Sequence, residues 1–117
     1  MNIVVLQGKL SRVPEERVLP SGDWLVAYEV TTRLEDGTAS TAPVSWRSAP
    51  DGASELDAGD EVVVVGHVHR RYFRAGGATQ SRTEVVADAV LPVRQRAKVA
   101  KAIARAVADL SRPDRAG

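Results

Sequence analysis

GDEVVVVGHVHRRYFRAGGATQSRTEVVADAV, residues 59–90, reads as two long β-strands joined at a glycine tip. The first run opens on Val62–Val65, β-branched residues that suit a pleated, half-buried surface. Side chains in a strand alternate, so Val62, Val64 and Val68 share one face, and Val63, Val65, His67, His69, Arg71 and Phe73 share the other. Gly66 is the expected site of a bend or bulge. If the strand bulges there, the parity reverses and Arg70 and Tyr72 change places with Arg71 and Phe73. Ala75-Gly76-Gly77-Ala78 supplies the tip, Ser81–Leu91 the returning strand, and Pro92 ends the sheet.

Upstream of this ribbon, residues 2–10 form an apolar strand signal around Ile3, Val4, Val5 and Leu6. Leu19-Pro20-Ser21-Gly22 marks a turn. From Trp24 to Arg33 the pattern alternates, with Trp24, Val26, Tyr28 and Val30 against Ala27, Glu29, Thr31 and Arg33, as in a half-buried strand. Val44-Ser45-Trp46 predicts a short third strand, and residues 49–57 a short helical insert limited by Pro50 and Gly52. Downstream of Pro92 the period changes. Val99, Ile103, Ala106, Val107 and Leu110 fall on one helical face, and Arg94, Lys98, Lys101 and Arg105 on the opposite one.

Five strands with a helical insert between the third and fourth match the order of an OB-fold, an all-β, five-stranded Greek-key barrel. The expected organisation is a barrel over residues 1–92, a basic amphipathic helix over 93–111 and a flexible terminus over 112–117. The chain has 117 residues, room for one domain and an appendage. It has no cysteine, which excludes disulfides and thiolate metal sites. No secretory signal or membrane span is read, so a cytoplasmic location is expected. Residues 1–93 carry 9 Lys and Arg against 13 Asp and Glu, whereas residues 94–117 carry 7 against 2. A basic tail on a mildly acidic body disfavours indiscriminate binding to duplex DNA but permits a local basic groove.

The stretches NIVVLQGKL (2–10), RVLPSG (17–22), ASEL and GDEVVVVGHV (53–56 and 59–68) and SRTEVVAD (81–88) resemble, in order and spacing, the bacterial single-stranded DNA-binding protein (SSB) family over about residues 2–91. The resemblance implies an OB-fold, commonly a homo-oligomer (tetramer or dimer). It also implies sequence-tolerant binding of single-stranded DNA in replication, repair or recombination, at the nucleoid and without a cofactor. It places Trp46 and Phe73 at base-stacking positions and Arg71 at a basic one. Two features depart from the family pattern. Thr41-Ala42-Pro43 lacks the usual aromatic residue, and the chain ends in Pro113-Asp114-Arg115-Ala116-Gly117 rather than in an acidic tail. A diverged or short paralogue is expected.

The residue chemistry agrees with that implication independently. Binding an unpaired strand needs cations for phosphates and exposed rings for bases. His69, Arg71 and Phe73, with Arg74 nearby, supply both, and Arg33 and Arg82 are further groove candidates. Trp46 and Arg47 alternate, and the sequence leaves open which of them faces outward. His67 and His69 could share a metal only with a third ligand, which the sequence does not supply, so no metal is expected. They remain candidates for a pH-sensitive contribution to anion binding. No phosphate-cradling loop, zinc-protease or serine-hydrolase motif occurs, so no enzyme is expected. The competing reading is an OB-fold protein-interaction module that has lost strong DNA binding, favoured by an aromatic content of only 4%.

Overall fold

A computed structural model describes residues 2–110. Its strands are β1 (Val4–Leu10), β2 (Glu15–Val18), β3 (Trp24–Arg33), β4 (Ala39–Arg47), β5 (Glu61–Ala75) and β6 (Ala78–Pro92), followed by helix α1 (Arg96–Asp109). Five strands close a ring. β1 pairs antiparallel with β5, β5 with β6, and β3 with β4. β6 meets β4 in a short parallel pairing at Val44–Val85 and Ser45–Val86, and β1 returns to β3 through Lys9 and Leu10. This is the barrel expected from the sequence.

Valine dominates the interior. Val26, Val30, Val62 and Val64 are fully buried, with Leu10, Tyr28, Val44, Val85 and Val90 completing the core. These are the inward members of the alternating runs, which is how sequence period becomes packing. No described polar side-chain atom is left buried without a hydrogen-bond partner.

Four local features differ from the expectations. First, β2 is an added strand, paired only with residues 24–27 of β3. Second, β4 is nine residues long rather than three. Only Val44 and Ser45 of β4 pair with β6, so Pro43 sits where a missing N–H is tolerated. Third, residues 48–60 contain turns and no helix. Gly52 adopts φ 85°, and Ala53 donates its N–H back to the Pro50 carbonyl at 3.1 Å. The loop still plugs the barrel end, because Ala49 is buried and Ala53 and Leu56 pack on the core. Fourth, α1 starts at Arg96 rather than at 93, and the predicted terminus 112–117 lies outside the described residues.

The bulge falls beside Gly66 but belongs to the opposite strand. Val65 pairs with Ala89 and Gly66 with Ala87, so Asp88 of β6 is the extra residue. β5 therefore keeps its parity, and His67, His69, Arg71 and Phe73 stay on one face. Gly66 is required by close approach: a Cβ there would lie 2.1 Å from the Val86 carbonyl oxygen. Beyond the bulge, β5 and β6 continue as a ribbon to a two-residue turn at Gly76 and Gly77. Both have positive φ, the geometry that matches strand twist. Asn2 clasps the base of the ribbon. Its Nδ2 donates to the Val68 carbonyl at 2.7 Å, and the Val68 N–H donates to its Oδ1 at 2.9 Å.

Gly66→Ala should destabilise the domain by about 3 kcal/mol or more in urea unfolding, because backbone blocks the added methyl. The Tyr28 hydroxyl donates to the Ala53 carbonyl at 2.7 Å, and burial pushes its ionisation well above the ordinary tyrosine range. A raised folded-state value means the stabilisation is complete below the unfolded value and declines as pH climbs past about 10. Tyr28→Phe should cost about 1–2 kcal/mol at neutral pH and reduce that alkaline decline.

Candidate nucleic-acid interface

The barrel's outer face across β2, β3 and β4 carries the residues that the core does not use. Registered pairs share a face, so Glu15 and Arg17, then Leu25, Ala27 and Glu29, then Pro43, Ser45 and Arg47 lie side by side. Small side chains at Ala27, Pro43 and Ser45 make the middle of this surface low. Arg71, Arg82 and Glu84, from the base of the ribbon, border it on the far side. Together these residues enclose an open cleft of about 240 Å³.

The charges in the cleft are not balanced evenly. Arg12 donates to Glu29 at 2.6 Å, and Arg17 lies 3.4 Å from Glu15. Those two glutamates are thus engaged at the edges. Arg47, Arg71 and Arg82 form no ion pair among the described residues. Arg71 and Arg82 are direct cross-strand partners, an arrangement that repels. His69 stands opposite Glu84, two pairs nearer the barrel, and Phe73 opposite Gln80, two pairs nearer the tip. Phe73 is 41% exposed and lies on the same ribbon face as Arg71.

The seven sequence candidates therefore separate. Arg71 and Arg82 line the cleft, and His69 and Phe73 extend it along the ribbon. Trp46 lies on the other side of β4, half-buried against the core, and Arg47 takes the cleft-facing position beside it. Arg33 is at the distal end of β3, where it donates to the Gly37 carbonyl at 2.9 Å. Arg74 belongs to the ribbon's opposite face and donates to the Gly77 carbonyl at 3.3 Å. Arg12 and Arg17 were missed. Arg17 could be placed only with β2 in hand, and EERV has no apolar alternation to announce a strand.

No family model matches the chain, and no curated protein matches it. Among solved structures, the chain is similar to the Plasmodium falciparum SSB complex with ssDNA, with a TM-score of 0.66 and 17% identity. The alignment covers 79% of this chain and 94% of that one. This likeness establishes the OB-type barrel. No group of three or more metal-ligating side chains occurs among the described residues, and no described helix is long and apolar enough to cross a membrane.

Removing one member of the repelling pair should stabilise the free domain. Arg82→Gln is expected to raise stability by about 0.5 kcal/mol in low-salt thermal melts, and the gain should shrink as salt screens the repulsion.

Proposed function

We propose that this chain binds single-stranded DNA, with its backbone held along the cleft by Arg47, Arg71 and Arg82 and a base stacked on Phe73. The observation that carries this reading is the Arg71–Arg82 pair, held in direct opposition with no carboxylate partner among the described residues. Such a pair costs stability in the free protein and is relieved by a polyanion. The low floor of Ala27, Pro43 and Ser45 leaves room for flat groups between arginine walls. His69 and Glu84 flank the same path. The similarity to an SSB solved with ssDNA agrees with this reading.

The sequence resemblance extends the proposal. The chain is a divergent relative of bacterial SSB proteins, acting without a cofactor in replication, repair or recombination, as a homo-oligomer at the nucleoid. In this assignment Arg33 and Arg74 act mainly on the turns they hydrogen-bond, and stacking passes from Trp46 to Phe73.

Fluorescence anisotropy of a labelled oligothymidine over a salt series tests the reading. Three to five phosphate contacts give a slope of log affinity on log salt of roughly −2 to −3.5. Arg71→Ala and Arg47→Ala should each flatten that slope by about 0.7. Phe73→Ala should cost about 1–3 kcal/mol of binding. Tryptophan emission should change little on binding, because Trp46 rests on the core and Trp24 shares β3's other face. Absence of any salt-sensitive binding at low ionic strength would reject the reading in favour of a protein-interaction module.

A further inference from the structure

A cleft of about 640 Å³ lies between α1 and the β5–β6 wall. The helix docks loosely. It buries no residue fully, and Val99, Ala102, Ile103 and Ala106 are half-buried on the side towards the barrel. Its basic flank does not point away from the domain. Lys98, Lys101 and Arg105 line the cleft, facing His67 and the bulged Asp88, with Asp109 at one end. None of the three cations forms an ion pair among the described residues. The helix is also charged against its own dipole. Its first turn has no acid and includes Arg96 and Lys98, its last turn has no base, and Gln95 makes no side-chain cap. Cations at a helix N-terminus are unfavourable unless an anion accompanies them.

Strand register connects this cleft to the arginine cleft. His67 pairs with Val86, and Val86 pairs with Ser45. His67 borders the helix cleft and Ser45 the arginine cleft. Registered partners share a sheet face, so the two clefts occupy one continuous outer surface. They are separated by two strand spacings, about 10 Å.

We propose that the helix cleft is a second phosphate track, in which Lys98, Lys101 and Arg105 hold the single strand after it leaves the arginine cleft across Val86. The proposal rests on the DNA-binding reading above. Asp88, on the barrel side of the cleft, confines the strand to the basic flank of the helix. α1 thereby lengthens the footprint of the barrel without adding a stacking ring.

The test uses the full chain and its Lys98→Gln/Lys101→Gln/Arg105→Gln variant against two oligothymidines. One, of about 6 nucleotides, can fill only the arginine cleft, and the other, of about 20, spans both tracks. Glutamine is a good helix former at these exposed positions, and circular dichroism verifies the fold. The variant should bind the short oligonucleotide like the parent. It should bind the long one on the order of tenfold more weakly at low salt, with a salt slope about 2 smaller. Lys98→Arg/Lys101→Arg should retain parental binding. In the parent, the His67 imidazole resonances should shift with the long oligonucleotide and not with the short one. Parental affinity of the variant for the long oligonucleotide, or equal losses for both lengths, would overturn the second track and leave the arginine cleft standing. Failure of the parent to bind either oligonucleotide would remove both proposals.

Discussion

The continuous pairing of β5 with β6 is the constraint on which the rest of the molecule depends. One pair of strands serves two environments. From Val62 to Val65 it forms barrel wall, with Val62 and Val64 in the core. From Val68 to the glycine turn it projects as a two-stranded ribbon, and an isolated ribbon is marginal in water. Its own cross-strand pairs add little, since Arg71 meets Arg82 and Phe73 meets Gln80. The ribbon keeps its shape because the wall below it is packed and because Asn2 supplies a peptide-like pair of hydrogen bonds at Val68.

This anchorage makes the arginine arrangement affordable. The body of the protein is mildly acidic, yet two of the three carboxylates lining the cleft, Glu29 and Glu15, are engaged by Arg12 and Arg17, and the third, Glu84, stands opposite His69. Arg47, Arg71 and Arg82 are left to set the local potential. A low wall of small residues beside them keeps the charges near solvent, where long side chains can follow a ligand without a large desolvation cost. Under the proposed function, specificity for sequence is not built into such a surface, because guanidinium groups would meet phosphate and a phenyl ring the face of any base.

The barrel was legible in the sequence because its strands alternate strongly. Trp24–Arg33 and Glu61–Arg74 announce both their period and their inward faces. The helix was legible for the same reason, through the spacing of Val99, Ile103 and Ala106. What escaped detection lacked that contrast. EERV is exposed along its whole length, and its strand character comes from pairing with β3. The first half of β4, ASTAP, is made of small residues and a proline, so neither volume nor alternation marks it. Residues 49–57 have helix-compatible composition, but the chain reverses at Gly52 and uses Ala49, Ala53 and Leu56 as separate plugs. The orientation of Trp46 depends on a register that only β3 fixes: Val26 stands opposite Trp46, and Leu25 opposite Arg47.

The extra residue at Asp88 has a consequence for how such an arm can change length over evolutionary time. A strand reverses its side-chain direction with every residue, and the bulge at Asp88 is the one register shift between β5 and β6. Growth by two residues in each arm moves the arginines outward on the same side. Growth by one in each would turn them to the back, whatever the composition of the insert. Lineages carrying this architecture should therefore show arms that differ by even steps, with odd steps surviving only alongside a second bulge.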